Sequence, residues 1–175
     1  MSNNEDILLN DLWTVYFHDP ANADWTNQSY VRVGDIASVD DFWAHANGWE
    51  GEIHKGMFFI MRDGVFPCWD DAANIDGGVM SIKVLKENLG EFWNELCMKI
   101  MGETLLIDAD KRERWWDNVN GISTSPKKHF CIVKIWVKSH EFSQKELFDI
   151  ATKYYGDILY KSNRDNIEND NLKRI

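Results

Sequence analysis

The sequence predicts an α+β fold: a curved, mostly antiparallel sheet with helices stacked on one face. Two observations carry this. Short apolar, β-rich runs alternate with segments of helical periodicity, and an Asp63-Gly64 turn sits between two such runs as in an antiparallel hairpin.

Leu12–Phe17 is apolar and aromatic and stops at His18-Asp19-Pro20, so it reads as a strand running into a loop. The loop Pro20–Ser29 is polar and carries Trp25, and Tyr30–Val33 reads as a second strand. Ser38 is placed to cap a helix with Asp40 and Asp41 in its first turn, ending near Ala46 before Asn47-Gly48. Met57–Met61 reads as a strand, Arg62-Asp63-Gly64 as its turn, and Val65–Trp69 as the returning partner, with Pro67 marking a strand end. After a loop closing in Gly77-Gly78, Val79–Val84 is a further strand. Leu89, Phe92, Trp93, Leu96 and Ile100 keep one helical face, so a helix is expected from Val84 or Leu85 to Met101, closed by Gly102. Lys111–Arg114 reads as exposed and Asn120–Lys128 as a loop. His129–Val137 is a long strand, Ser143–Glu146 is a capping box opening a helix to about Tyr155, and Ile158–Tyr160 is a last strand. The domain is expected over 9–162, between a short loose segment, 1–8, and a polar tail, 163–175.

With 175 residues the chain is expected to form one domain able to bury a substantial core. The net charge of -10 argues against general nucleic-acid binding, whose footprint is basic. It leaves room for a protein that grips a single nucleotide with a local cluster of cations. The three cysteines, Cys68, Cys97 and Cys131, have no C-x-x-C spacing and read as reduced thiols of the cytoplasm or nucleus. The acidic start carries no secretory pattern, and no apolar run approaches the ~20 residues of a membrane span.

Most tryptophans pack in cores. Trp25 and Trp69 stand out among the nine because their neighbours are polar: Ala23-Asp24-Trp25-Thr26-Asn27 and Trp69-Asp70-Asp71. Two indoles can hold a flat cationic ring between them. The cation–π term is worth about 0.5–2 kcal/mol and base stacking about 1–3 kcal/mol. Guanine methylated on its imidazole nitrogen is such a ring. Its N1–H and exocyclic amine form a two-donor edge that a carboxylate reads, which makes Asp70 the natural reader. An enzymatic alternative would use Asp70, Asp71 and Asp76 around a metal with His18 or His54 as base. No H-E-x-x-H, Gly-rich phosphate loop or nucleophile–base spacing supports it, so no catalytic residue, metal or cofactor is expected.

Several motifs in order carry a resemblance that covers roughly Leu9 to Ser162. They are Leu12-Trp13-Thr14-Val15-Tyr16-Phe17; Trp25; Val39-Asp40-Asp41-Phe42-Trp43, near a V-x-D-F-W pattern; Phe59–Asp71, near F-x-x-G-I-x-P-x-W-E-D; Glu91-Phe92-Trp93 with Gly102-Glu103; and Ile135-Trp136. The chain resembles the mRNA cap-binding translation initiation factor 4E family. The resemblance implies a cupped sheet with three long helices on its convex back and a cap pocket on the concave side. It implies that Trp25 and Trp69 sandwich 7-methylguanine, that the Trp69 backbone N–H reaches the base carbonyl, and that Trp136 lies near the methyl group. Asp70 stands where that family mostly has Glu, and tryptophan at positions 13 and 25 is similar to its translationally active branch.

The departures are as informative. Val79-Met80 follows Gly77-Gly78 where the family usually has a basic residue and Trp. Lys127 and Lys128 are the best substitutes for the missing phosphate-side charge, with Lys161 and Arg164 assisting. Trp115-Trp116 has no counterpart and reads as packing. The resemblance also implies a second site, for a scaffold of the initiation factor 4G type or a binding protein that presents a Y-x-x-x-x-L-φ helix. Trp43 would be its anchor, with Leu9, Val39, Glu95 and Met98 around it, while Asn94 stands where an apolar residue is usual. Capped mRNA and such a scaffold are therefore the expected partners, with no membrane involved. A cap-binding repressor or storage protein without a productive scaffold is the competing reading.

Overall fold

A computed structural model describes residues 6–173. Its core element is a seven-stranded antiparallel sheet in the order β2-β1-β3-β5-β6-β4-β7. The strands are β1 (Leu8–His18), β2 (Tyr30–Ser38), β3 (Met57–Arg62), β4 (Gly78–Leu85), β5 (Val119–Pro126), β6 (Phe130–Val137) and β7 (Ile158–Ser162). The helices are α1 (Val39–Trp49), α2 (Leu89–Met101), α3 (Ala109–Trp115) and α4 (Asn163–Lys173). None is long and apolar enough to cross a membrane.

Strand alternation gives the sheet two apolar faces. On the helix face Trp13, Val15, Ile36, Ile60, Met80, Ile82, Ile122, Val133 and Ile135 pack against Phe42, Trp49, Phe92, Trp93 and Leu96 of α1 and α2. The other face, called here the open face, carries a smaller cluster of Phe59, Met61, Val65, Val79 and Trp136, with Tyr16, Tyr30, Met57 and Trp69 against it. Ser38 caps α1 as its sequence position requires: its hydroxyl accepts the Asp41 N–H, and the Asp41 carboxylate accepts the N–H groups of Ser38 and Ala37.

The structure corrects several expectations. Val65–Trp69 is not a strand. β3 is flanked by β1 and β5, and residues after Gly64, at φ 79°, form a braced loop instead. Asn120–Ser125 is not a loop but the buried middle of the sheet. Its residues pair with β3 on one side and β6 on the other, and a Cβ on Gly121 would collide with the Ile60 carbonyl. α1 runs through Asn47-Gly48 because buried Trp49 holds its end, the indole N–H donating to Asn94 Oδ1 at 3.3 Å. α2 begins only at Leu89, since Val84 and Leu85 still pair with Cys131 and Phe130 in β4.

The helix expected from Ser143 to about Tyr155 does not form. Short 3-10 turns replace it, because Phe148 and Ile150 alternate with exposed Asp149 and Phe148 bridges Leu106 as an extended residue. The third long helix on the convex back is therefore absent among the described residues, and the seven-residue α3 lies between α2 and β5 in the chain. The polar segment 163–175, expected as a loose tail, forms α4 as far as Lys173. Ser162 Oγ accepts the Asp165 N–H, and buried Asn163 donates to the Asn74 carbonyl at 2.7 Å. Of the segment 1–8, residues 1–5 lie outside the described residues; Leu8 opens β1, and the Ile7 carbonyl accepts the Val39 N–H.

Trp116 proves to be packing. Its ring and that of Trp13 each lie 4.5 Å from the Arg62 guanidinium, which pairs with Asp11 and donates to the carbonyls of Trp116 and Val119. The cysteines are free thiols, Cys97 and Cys131 buried and Cys68 half-buried.

Candidate functional site on the open face

Trp69 sits on a loop whose shape is fixed by buried amides. Asn74 is fully buried and donates to the carbonyls of Phe66 and Cys68, each at 2.9 Å. Asn120 donates to Asn74 Oδ1 and to the Ala73 carbonyl. The Asp71 carboxylate accepts the Ala73 N–H, so this acid braces the loop, and Asp76 pairs with Arg164 at 2.5 Å. Asp70 remains exposed beside Trp69. The Cys68 thiol is pushed up to about 12 by burial first and by its hydrogen bond to the Asp70 carboxylate second. Asn74→Ala should cost about 1–3 kcal/mol of stability, because it strands two carbonyls and the Asn120 amide in the interior; chemical denaturation would measure it.

The same network seats Trp69 against the floor of the open face. Trp136 is 3% exposed, and its indole N–H donates to Ser123 Oγ at 2.9 Å, so one ring face lines the cluster with Phe59 and Val79.

Trp25 is the most exposed of the aromatic candidates on this side, at 47%. Its loop is a run of side-chain turns: Asp19 accepts the Ala21 N–H, Asn22 the Asp24 N–H, and Asp24 the Thr26 N–H and hydroxyl. The indole stacks on His18 with centroids 4.1 Å apart and planes 6° from parallel, and meets Tyr30 edge-on. One face of Trp25 is thus covered by His18.

α4 links the two tryptophan loops. It starts at Asn163 and Arg164 against Asn74 and Asp76, and Asp170 reaches the surface formed by Ala23–Thr26. The seven-residue step from Asn163 to Asp170 spans about 10 Å of helix.

The cations are arranged differently from the sequence expectation. Arg164 is tied to Asp76 and is not free to serve a phosphate. Lys127 and Lys128 are exposed in the β5–β6 turn, where Lys127 N–H donates to the Phe130 carbonyl. Lys161 lies opposite Val79, which in turn lies opposite Trp136, so all three share the open face. The group the sequence reading missed is Lys134. It is half-buried two residues before Trp136, with its ammonium 5.8 Å from the Trp69 ring centroid. Its pKa is lowered to about 8, by burial first and then by the nearby charges of Lys127 and Lys161. Lys134 and Lys161 therefore share the face of Trp136, with Lys127 close enough for its charge to act on Lys134. The alternation of β6 held the signal, since Lys134 and Trp136 must share a face.

On the helix face Trp43 is 44% and Met98 45% exposed, while Leu9, Val39 and Glu95 are half-buried. Phe42 takes the core position, and Trp43 meets it edge-on at 5.1 Å. Glu95 pairs with Lys99 at 2.8 Å. Asn94 is engaged by Trp49, which explains a polar residue at that point. Ile7 and Leu8, which precede Leu9, are 68% and 74% exposed.

The family model described as Eukaryotic initiation factor 4E matches residues 8–173. The chain belongs to that family, whose members are non-catalytic cap-binding proteins of translation initiation. Eukaryotic translation initiation factor 4E of Eremothecium gossypii is 26% identical over 169 residues, which cover 91% of this chain and 74% of that protein. The Saccharomyces cerevisiae factor is 28% identical over 156 residues, covering 83% and 68%. Among solved structures, Caenorhabditis elegans eIF4E-3 in complex with the 4E-binding protein Mextli and a cap analog matches with a TM-score of 0.75 at 17% identity, over 94% of this chain and 96% of that one. Ascaris suum eIF4E-3 with an m7G cap matches with a TM-score of 0.71 at 20% identity, over 90% and 92%. These structures share the fold.

Proposed function

We propose that the open face is a concave cap pocket, that Trp25 and Trp69 stack the 7-methylguanine, and that the chain recruits capped mRNA in the cytoplasm to a scaffold held by Trp43. The observation that carries the reading is the convergence of a braced Trp69, exposed Asp70, buried Trp136 and Lys134 on one sheet face of a chain in this family. Asp70 accepts N1–H and the exocyclic amine of the base. In the free protein the Lys134 ammonium lies over Trp69. A cationic base stacking there displaces it toward the cap phosphates, where Lys127 and Lys161 also stand. Caenorhabditis elegans eIF4E-3 with Mextli and Schistosome eIF4E with 4E-BP, which share the fold, are each solved with a binding protein, and this supports a protein partner for this chain.

Two measurements test this reading. Lys134→Met should weaken a cap triphosphate by about 1.5–3 kcal/mol, the worth of a charge-assisted hydrogen bond, and a cap nucleoside far less. Phosphate contact restores the ammonium that burial disfavours. The triphosphate-to-nucleoside affinity ratio should therefore fall as pH rises past about 8, and this fall should vanish in Lys134→Met. In the free protein the sign is opposite: the folded state gains stability as pH rises above about 8 until the unfolded lysine also loses its proton. For the scaffold, a Y-x-x-x-x-L-φ peptide should bind, and the chain should rescue translation in cells lacking their own factor. Cap binding without peptide binding or rescue would make it a repressor or storage protein instead.

A further inference from the structure

His18 does more than fill space beneath Trp25. It is fully buried on β1, and its ring lies 4.1 Å from the Trp25 indole and 6° from parallel to it. Its Nε2 is 2.9 Å from the Asp24 carbonyl oxygen, an acceptor only, so Nε2 carries the proton. Its Nδ1 is buried with no hydrogen-bond partner among the described residues. In the neutral tautomer this leaves an idle lone pair, whereas a second proton would make a buried N–H with nothing to accept it. The groups around the ring offer no acceptor for that N–H, although the Asp24 carboxylate lies close enough to attract a positive charge on the ring. Tyr30 meets it edge-on at 5.0 Å from β2, and β3 contributes the backbone of Met57. The Asp24 carboxylate is turned to the Thr26 N–H and hydroxyl, and Asp170 of α4 borders the outer side of the loop. The Asp24 N–H is itself held by Asn22, so the His18–Asp24 bond fixes the loop one residue before the indole.

We propose that His18 is the positioning residue of Trp25: a neutral imidazole platform that holds the indole in place with one face open, and that opposes a cationic base on that open face once it is protonated. The inference rests on the reading of the open face as a cap pocket. An aromatic ring presents negative potential on both faces. A neutral imidazole leaves the outer face available to the positive charge of 7-methylguanine. An imidazolium puts a second positive charge on the same indole, about 7 Å from the ligand, and loosens the seat through its unaccepted N–H. By Coulomb's law between water and a protein surface, that opposition is worth about threefold or more in affinity. Cap stacking therefore weakens when the imidazole gains a second proton.

The test is a tryptophan-quench titration with 7-methylguanosine triphosphate from about pH 7.5 to about pH 5.5, with wild type and with His18→Phe, which keeps a flat ring but has no proton to gain. Wild-type affinity should fall about threefold or more, and the His18→Phe profile should stay level whatever its absolute value. Parallel profiles for the two proteins, or a level wild-type profile, would overturn the proposal. The free proteins separate this from the cap reading. An imidazolium stacked on an indole quenches it, so wild-type fluorescence should drop over the same range, and both His18→Phe and Trp25→Phe should lack that drop. A protein showing the His18-dependent drop but no binding of the methylated nucleotide would refute the cap reading and leave the platform standing. Absence of the drop would refute the platform itself.

Discussion

Trp69→Ala is expected to reduce affinity for 7-methylguanosine triphosphate by at least about 2 kcal/mol, some thirtyfold, while the protein stays folded. Stacking on the base is worth about 1–3 kcal/mol, and the positive charge of the methylated ring adds about 0.5–2 kcal/mol. The loop does not depend on the indole for its shape, since Asn74, Asn120 and Asp71 brace it through backbone carbonyls and N–H groups. Removing the ring also frees the Lys134 ammonium from its contact and opens the edge of the cluster around Trp136. Trp25→Ala should lose a comparable stacking increment, with less effect on stability because that ring is half-exposed. Asp70→Asn should weaken binding too, since an amide offers one acceptor and a clashing donor to a two-donor edge. Isothermal titration of each variant, paired with its melting temperature, separates lost contacts from lost fold.

Trp43→Ala is expected to abolish capture of a Y-x-x-x-x-L-φ peptide while cap-resin retention persists. A large exposed aromatic on a helix is the kind of group that dominates a helix-in-groove contact, worth about 2 kcal/mol or more. Phe42, its buried neighbour, carries the core role on α1, so the fold should tolerate the change. A pull-down with a scaffold fragment and a cap-resin assay on the same preparation make the comparison. Loss of both activities together with a lowered melting temperature would assign Trp43 to the core.

The strands and helices with clean periodicity were legible in the sequence. Leu89, Phe92, Trp93, Leu96 and Ile100 mark α2, Ser38 and Asp41 mark the start of α1, and Phe130–Val137 marks β6. What misled was local chemistry overruled by tertiary partners. Asn120, Gly121, Ser123 and Ser125 look like a loop because they are polar and small. Tertiary partners take up the polarity of two of them: Asn120 bonds to Asn74 of the loop before β4, and Ser123 accepts the Trp136 indole N–H. The Asp63-Gly64 turn is real, but Asn74, distant along the chain from Phe66, holds the following residues as a loop. Ser143–Glu146 has the letters of a capping box, yet no helical apolar face follows it to be buried. In the candidate site, Trp25, Trp69 and Asp70 were visible from their polar surroundings. Lys134 was not, because a lysine in an apolar strand reads as an outward residue until the second face of the sheet is known to be a site. His18 was visible only as a possible base, since its partner in the stack is a loop tryptophan whose position no periodicity sets.

The central claim is that the open face selects a methylated, positively charged guanine. The most direct measurement is a paired titration of the wild-type protein with 7-methylguanosine triphosphate and with guanosine triphosphate, read by tryptophan quenching at one pH and salt. The two ligands share every phosphate and hydrogen-bonding contact and differ in the methyl group and the charge of the ring. The account predicts that the methylated nucleotide binds at least about tenfold more tightly, the worth of the cation–π terms from two indoles. Equal affinity for the two nucleotides would contradict it.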